Sequence, residues 1–398
     1  MLARKRIDIG RATILRELLS PVPGSRDAYE RRIHTAWGAD HALVTLSVRS
    51  AWDLYLTARA WPEGAEIVMS GANVPDMASI ARHHGLRVRA VDFELAGLTP
   101  ATADFAAAIN ARTRAIVFAH LFGSRIDLTD IARLAHRHGI DLVEDAAQAF
   151  DGRYRGHEGA TMSMFSFGPI KTATALGGGV STVRDAELAA RMRTLLAAQP
   201  IASAGAFRRR LARYFMLVSI TGPRMLRLVS RHLERHGRDL DDLARSARSF
   251  AGRELMHAIR ERPSRPLLRL LARRLCAVTD MASRAAIGCA LADRLRDRVI
   301  VPARQGAPHH YWVFPILCDN PAEVVTALRA HGFDATQNAT LAPIADALPR
   351  LEAAFARIVY LPFAGDYPAT AFDRIVALVR AHASGGIPEH QHRDRRDL

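Results

Sequence analysis

Apolar runs and amphipathic helical stretches alternate between residues 40 and 193, and this alternation constrains the fold more than any other feature of the chain. Strands that are separated by helices at this spacing form βαβ units. The sequence therefore predicts an α/β fold with a mainly parallel, buried central sheet. The expected strands are 42–46, 66–69, 87–92, 114–120 and 141–145, and the helices between them are 50–60, 77–84, 100–110 and 128–138.

The pattern changes after the fifth strand, and we expect four parts in the whole chain. These are a large α/β domain at 1–200, a basic helical insertion at 201–276, a helix with a small C-terminal α+β domain at 277–388, and a disordered polar tail at 389–398. The later expected strands are 162–167, 179–183, 310–317 and 333–336, and the later helices are 186–198, 280–296, 321–331 and 371–383.

Lysine is nearly absent from the chain and occurs only at Lys5 and Lys171. Arginine cannot replace lysine where an amine must lose its proton and attack a carbonyl, because guanidinium stays charged. Lys171 lies in the loop between the expected strands 162–167 and 179–183, which ends in three consecutive glycines. An incidental surface lysine is the alternative, but the glycine-flanked loop favours amine chemistry.

Asp145 ends the fifth expected strand, at the edge where open α/β sheets place their ligands. An acid at this position and a lysine about 25 residues later suit a pyridinium cofactor. The carboxylate would keep the ring nitrogen protonated, and the lysine would form a Schiff base with the aldehyde. The alternative is that Asp145 only caps the following turn.

Two runs together carry a family resemblance, EDAAQA at 144–149 and FSFGPIK at 165–171. They resemble the DegT/DnrJ/StrS family of pyridoxal-phosphate-dependent sugar aminotransferases. Supporting matches are HLFG at 120–123, the turn at 47–56 and VYLP at 359–362. The resemblance implies the type I aminotransferase fold and a homodimer with sites at the subunit boundary, in a divergent member of the family.

The resemblance implies that pyridoxal 5′-phosphate is the cofactor and that its ring is held by three residues. Lys171 would be the Schiff-base lysine and proton shuttle, Asp145 the partner of the pyridine nitrogen, and Gln148 a neighbour of the phenolic oxygen. Lys171 must be neutral to take a proton from the donor's α-carbon, and buried or cationic surroundings lower a lysine pKa in that direction.

The phosphate would be bound by Ser166 and by the backbone amides of Val48 and Arg49. A helix N-terminus suits an anion through its free amides and its dipole. The alternatives are that the Ser166 hydroxyl is satisfied by neighbouring backbone and that Arg49 is an ordinary exposed arginine of a first helical turn.

The implied reaction is the transamination of a keto group. Glutamate would give its amine to the cofactor, and a nucleotide-linked keto sugar would receive it. An acyl-carrier-bound or lipid-linked carbonyl is the alternative acceptor. A family member that uses the cofactor for elimination or regulation is disfavoured because the lysine is retained.

Three departures from the family concern the substrate side. The segment at 70–76 reads SGANVPD and lacks the family's stacking aromatic, so Asn73, Val74 or another side chain must cover the ring. The segment at 276–280 lacks the Asn and Arg that reach into the neighbouring subunit's site in the family. The third departure is the length of the arginine-rich insertion.

Eighteen arginines and six acidic residues lie between Ala204 and Leu275, a net of +12 within the chain's +15. Residues 207–236 alternate apolar residues with arginines, a pattern that suits an anionic membrane surface or an acidic carrier protein. A degenerate member that acts as an adaptor through this region is therefore a further alternative. The plain interpretation is a helix packed on the body of the protein. Nucleic acid is disfavoured because no binding module accompanies the charge.

Three cysteines without metal-type spacing argue against a disulfide framework and a metal site. The first residues lack the apolar stretch of a signal peptide, and no run of about 18 uncharged apolar residues is present. We therefore expect a cytoplasmic location, with peripheral membrane association through the basic region as the alternative.

Overall fold

The computed structural model describes residues 1–384 except for the positions given at the end of this paragraph. The expected tail at 389–398, residues 278–280 of the expected cross-subunit segment and a large part of the basic insertion lie outside the described residues. The excepted positions are 5, 40, 95–96, 98, 221–224, 227, 230–231, 233–234, 237–253, 278–280, 303–307, 338–340 and 346.

A seven-stranded sheet forms the centre of the fold. Its strand order is β1-β8-β7-β6-β5-β2-β4, and the four pairs that join β4, β2, β5, β6 and β7 are parallel. Strand β8 is antiparallel to β7 and to β1. The prediction of a mainly parallel sheet is therefore confirmed. The strands are β1 (Ala42–Thr45), β2 (Glu66–Ser70), β3 (Ala72–Asn73), β4 (Arg87–Val91), β5 (Thr113–Ala119), β6 (Asp141–Asp145), β7 (Met162–Ser166), β8 (Gly179–Val183), β9 (Phe314–Leu317), β10 (Ala342–Pro343) and β11 (Ile358–Leu361).

Helices cover both faces of the sheet, so the central strands bury apolar side chains on both of their sides. Val117 and Val143 point into the core beneath α3, α4 and α7, whereas Ile116 and Leu142 point into the core beneath α5 and α6. Neighbouring residues of a strand face opposite sides of the sheet. The described helices are α1 (Arg11–Leu19), α2 (Arg26–Trp37), α3 (Val48–Arg59), α4 (Pro75–His83), α5 (Thr102–Ala108), α6 (Thr129–Arg137), α7 (Ala186–Ala198), α8 (Ala204–Ile220), α9 (Leu255–Ile259), α10 (Arg265–Cys276), α11 (Ala282–Leu295), α12 (Pro321–Ala330), α13 (Pro349–Arg357) and α14 (Ala369–His382).

The C-terminal part has a core of its own. Strands β9 and β11 pair antiparallel, and helices α11, α12 and α14 pack around them. This arrangement is α+β in character, as expected, while the four boundaries proposed from the sequence stay predictions. Among the described residues, no helix combines the length and the apolarity that crossing a lipid bilayer requires.

Two predicted strands differ from the structure. The strand expected at 310–317 begins only at Phe314, because Tyr311 adopts a left-handed backbone conformation with φ of 48°. The expected strand at 333–336 is wrong. Phe333 and Thr336 form isolated single bridges to different partners, Leu2 and Tyr360, and so do not continue a ladder.

Candidate active site

The carboxyl ends of the parallel strands meet at one edge of the sheet, and Asp145 lies there at the end of β6. The residue is 7% exposed, and its Oδ1 accepts a hydrogen bond of 3.0 Å from the amide of Ala147. Burial raises the pKa of Asp145, and the positive charges of Lys171 and Arg49 oppose part of that rise. The structure therefore brings Asp145, Lys171 and Arg49 within electrostatic reach of one another.

The Lys171 loop connects β7 to β8 and is stabilised by hydrogen bonds between its own backbone groups. Phe167 donates to the carbonyl of Gly178 and accepts from the amide of Gly177. The hydroxyl of Thr174 donates to the carbonyl of Gly168 over 2.6 Å. Ala173 has a φ of 53°, so the loop holds a non-glycine residue in the left-handed region. These contacts fix the path of the backbone that carries Lys171.

Lys171 is suited to amine chemistry. Burial lowers its pKa to about 8, the Asp145 carboxylate acts in the opposite direction, and the Arg49 guanidinium lowers the pKa further. Nζ lies 4.2 Å from the centre of the Trp312 ring. A substantial fraction of the amine is therefore neutral just above neutral pH, as the expected proton transfer requires.

The expected phosphate turn is the N-terminus of α3, which begins at Val48, two residues before the predicted helix. Ser47 caps the helix by accepting from the amide of Ser50 over 3.1 Å. Gly179 of β8 lies directly against this turn, since a Cβ there would lie 2.9 Å from Ser47 C and 3.0 Å from Val48 N. The side chain of Arg49 is engaged with Asp76, with Nε 2.5 Å from Oδ2.

Ser166 and Lys171 lie on either side of Gly168. A Cβ at Gly168 would lie 3.5 Å from Ser166 Oγ and 4.0 Å from Lys171 Cγ. The Ser166 hydroxyl accepts the Gly168 amide over 3.4 Å, which is a long hydrogen bond. The hydroxyl is therefore largely available to a ligand beside the lysine.

Gln148 is held by the loop after β5. Its Oε1 accepts from the backbone amide of Phe122 over 2.9 Å, and Phe122 has a left-handed φ of 62°. Because the oxygen is engaged, the side-chain amide nitrogen is the group that can donate to a ligand. The role of Gln148 beside a phenolic oxygen stays a prediction.

Asn73 lies in β3, next to the carboxyl end of β2. It is 2% exposed, its Oδ1 accepts from the amide of Val74, and its Nδ2 is buried without a hydrogen-bond partner among the described residues. An unpaired buried donor is costly, so a ligand acceptor at this position would relieve it. Val74 is partly buried and packs against the core under α3 and α4.

Two groups near the lysine are not predicted from the sequence, Trp312 and His310. Trp312 presents its ring to Nζ of Lys171. His310 lies 3.5 Å from the hydroxyl of Thr172, and burial lowers its pKa to about 3. The run HHYWVF at 309–314 concentrates aromatic and imidazole side chains, which is a signal for such groups, but its apolar residues predict only a strand.

Several arginines of the basic insertion pair with acidic residues of the protein body. Arg269 and Arg273 of α10 both pair with Glu17 of α1, which is 2% exposed. Arg274 donates to Asp8, and Arg260 donates to Asp53 with contacts of 2.9 and 3.0 Å. In this part of the insertion the positive charge therefore ties helices to the body of the protein.

The apolar faces of α8 and α10 also pack on the sheet domain. Phe207, Leu211 and Tyr214 of α8 are buried together with Leu267 and Leu271 of α10. The two leucines lie against the glycines at the end of the Lys171 loop. The described helices of the insertion thus support the backbone of the candidate site.

Solved structures with this fold are aminotransferases and related enzymes. The aminotransferase TlmJ of Streptoalloteichus hindustanus aligns with a TM-score of 0.69 at 19% identity, over 96% of this chain and 98% of that one. The GDP-4-keto-6-deoxy-D-mannose-3-dehydratase of E. coli, solved with bound hydrated PLP, aligns with a TM-score of 0.68 at 14% identity, over 95% and 99%. The fold is that of the pyridoxal-phosphate-dependent aminotransferases, as the sequence predicted.

The sequence comparisons match the same family that the motifs resemble. The model of the DegT/DnrJ/EryC1/StrS aminotransferase family matches residues 23–213. The chain is also 46% identical over 92 residues to the dTDP-3-amino-3,4,6-trideoxy-alpha-D-glucose transaminase of Streptomyces venezuelae, a segment that spans 22% of this chain and about a quarter (24%) of that relative. This family match, which covers just under half of the chain, confirms the resemblance seen in its motifs.

Proposed function

We propose that the protein is a pyridoxal-5′-phosphate-dependent aminotransferase that moves an amino group from glutamate to the keto carbon of a nucleotide-linked sugar. One observation carries the proposal: a lysine with a pKa lowered to about 8 lies within electrostatic reach of a buried aspartate at the ligand edge of a parallel sheet. The family and the sugar transaminase relative support the same reaction.

The described residues fit pyridoxal 5′-phosphate at both of its ends. The first turn of α3 and the Ser166 hydroxyl offer donors for the phosphate. Asp145 offers a carboxylate for a protonated ring nitrogen, and Gln148 offers an amide nitrogen for the phenolic oxygen. The unpaired Nδ2 of Asn73 is a further donor at the same edge of the sheet.

Bound at Lys171, the cofactor supplies a carbonyl carbon that can accept an amine and an electron-poor ring that stabilises negative charge. Lys171 supplies the base, because its neutral Nζ can take a proton from the α-carbon of the donor and return it to the keto carbon of the acceptor. Burial and the nearby Arg49 keep a useful fraction of this amine neutral.

Asp145 determines on which side of the site a cationic group of the ligand would bind. Burial disfavours an unpaired carboxylate and so raises the pKa of Asp145. A cationic group bound next to Asp145 would stabilise the charged carboxylate through a buried ion pair. The hydrogen bond from Ala147 leaves the second carboxylate oxygen for that partner. Gln148, held by Phe122, orients the opposite side of the ligand.

The same proposal includes a homodimer, as the family implies. An acidic carrier or an anionic membrane as a further partner is the weaker alternative. Arg208, Arg209 and Arg213 are exposed on α8 and would have to provide that contact. The inward pairing of Arg269 and Arg273 removes two other cations from such a surface.

Amino transfer from isotope-labelled glutamate to a dTDP-linked 3-keto sugar tests the proposal. With the cofactor present, the wild-type protein should give a labelled amino sugar, detected by mass spectrometry, and Lys171→Arg should give none. Lys5→Arg is the matched control and should retain the product. Loss of the keto sugar without incorporation of label would point to elimination instead and would overturn the aminotransferase assignment.

A further inference from the structure

Trp312 lies at the reactive end of the candidate site. Its ring centre is 4.2 Å from Nζ of Lys171, and its indole N–H donates to the carbonyl of Ile170 over 2.8 Å. That hydrogen bond fixes the edge of the indole, so one face of the ring is directed at the amine. Trp312 is partly exposed, whereas Trp37 and Trp52 are completely buried in the core.

The backbone that carries Trp312 is strained and strongly held. Tyr311, the preceding residue, is completely buried and has a φ of 48°. A non-glycine residue in this region costs of order 1–3 kcal/mol and persists only when its surroundings impose it. Arg284 imposes it by donating to the Tyr311 carbonyl over 2.7 Å and to the His310 carbonyl over 3.0 Å.

Two glycines allow the close packing that this conformation requires. A Cβ at Gly288 would lie 2.1 Å from Cδ2 of Tyr311, and a Cβ at Gly123 would lie 2.5 Å from the backbone nitrogen of Trp312. Gly123 itself has a φ of 98°. The loop after β5 and the loop before β9 therefore meet at Trp312 and hold it over the lysine.

We propose that Trp312 is the sugar-binding wall of the acceptor site, with its indole face packing against the C–H face of the hexose ring while the keto carbon reaches Lys171. This inference rests on the proposed function and names a residue that contacts its substrate. Hexose rings present alternating hydroxyls and one apolar face of C–H bonds, which an aromatic face contacts well. A large, rigid aromatic surface also loses little conformational entropy on binding.

The position of Trp312 next to Nζ of Lys171 favours the sugar over the nucleotide as the part of the substrate that contacts the indole ring. The group that faces Nζ of Lys171 must carry the carbon that is aminated, and in a nucleotide sugar that carbon belongs to the hexose. The residues around the indole ring also favour a sugar. The Ile170 side chain beside it is exposed, and the Thr172 hydroxyl lies near His310 as a polar group for sugar hydroxyls.

Binding without turnover tests the inference. The probes are dTDP-glucose, UDP-glucose and GDP-glucose, each compared with its nucleoside diphosphate, against the cofactor-loaded protein. At least one sugar form should change tryptophan fluorescence saturably, and its nucleoside diphosphate should change it far less. The change should vanish in Trp312→Phe and persist in Trp61→Phe, the matched control. Trp312→Ala should weaken calorimetric binding of that sugar nucleotide about tenfold, and Trp312→Phe by less than about threefold.

Equal affinity of the wild-type protein and Trp312→Ala for every sugar nucleotide would overturn the inference. Absence of any sugar-dependent signal in the wild type would overturn it as well. Failure of the proposed function is seen separately, as the absence of glutamate-dependent bleaching of the cofactor's visible band in the wild type. Where the reaction occurs, the acceptor's kcat/KM should fall about tenfold more than that of glutamate in Trp312→Ala.

Discussion

Nε2 of His120 lies 2.8 Å from Oε1 of Glu144, and both side chains are completely buried beneath the site. Nδ1 of His120 accepts the amide of Ile126 over 3.2 Å, so Nε2 carries the proton and donates it to the carboxylate. The hydroxyls of Ser163 and Tyr154 also donate to Glu144, each over 2.6 Å. These hydrogen bonds hold the pKa of Glu144 at about 2 and fix the strand that ends in Asp145.

Glu144→Gln should destabilise the protein by about 3 kcal/mol, because it places an amide among donors that are matched to a carboxylate. Urea denaturation with the linear extrapolation measures the change. Glu158→Gln is the control, since Glu158 is exposed nearby and should unfold like the wild type. A Glu144→Gln midpoint equal to that of Glu158→Gln would show that the buried hydrogen bonds carry no net stability.

The contribution of Glu144 should depend on pH in a defined window. Its folded pKa of about 2 is below the ordinary 4.5, so its stabilisation is complete above pH 4.5 and is lost as pH falls towards 2. The stability difference between the wild type and Glu144→Gln should therefore shrink across this range. Thermal unfolding at a series of pH values measures it, and a difference that stays constant would contradict the assigned pKa.

Lys171 should react with an amine-selective reagent in the cofactor-free protein with a half-maximal rate near pH 8. Lys5, measured in Lys171→Arg, is the comparison lysine. Arg49→Gln should raise the pKa of Lys171, because it removes a positive charge. Asp145→Asn should lower it, because it removes the carboxylate. Shifts in the same direction would refute this electrostatic account of the site.

Most of the site's main chain could be predicted from the sequence, because it depends on local patterns. The run that became β5 contains five consecutive apolar residues at 115–119, as burial on both faces requires, and Asp145 is the last residue of the neighbouring strand β6. The Lys171 loop was likewise flanked by recognisable strands. The roles assigned to these residues stay predictions.

The parts that could not be predicted depend on contacts between distant residues. Trp312 reaches the lysine because Arg284 and Gly288 hold Tyr311 in a left-handed conformation. Arg269 is inside the protein because it meets Glu17, 252 residues away. A count of charges along the insertion could not reveal that pairing, and it therefore overstated the basic surface.

Gly179→Ala should weaken cofactor binding about tenfold or more. The new Cβ would lie 2.9 Å from Ser47 C and 3.0 Å from Val48 N, so the first turn of α3 must move away from β8. Fluorescence titration with pyridoxal 5′-phosphate measures the affinity. Gly205→Ala, in α8, is the matched control because its nearest neighbour would be 3.6 Å away, and equal affinities of the two variants would contradict the assigned phosphate turn.

Asp8 should be a positioning residue of the lysine loop. Its Oδ2 accepts the amide of Ala173 over 2.6 Å and a hydrogen bond of 3.1 Å from Arg274. Asp8→Ala should release the strained Ala173 and increase amide exchange in the loop, and Asp8→Asn should do so less. Hydrogen exchange of peptides that cover 167–178 measures this, with the exposed Asp27→Ala as the control. Unchanged exchange in Asp8→Ala would show that the hydrogen bonds within the loop are enough to keep its conformation.

Borohydride reduction of the cofactor-loaded protein, followed by digestion and mass spectrometry, tests the central claim most directly. The chain has two lysines, so the site of covalent attachment is a choice between Lys5 and Lys171. The account predicts stoichiometric phosphopyridoxyl addition on the peptide that contains Lys171 and none on the peptide that contains Lys5. Addition on Lys5, on both lysines equally, or on neither would contradict it.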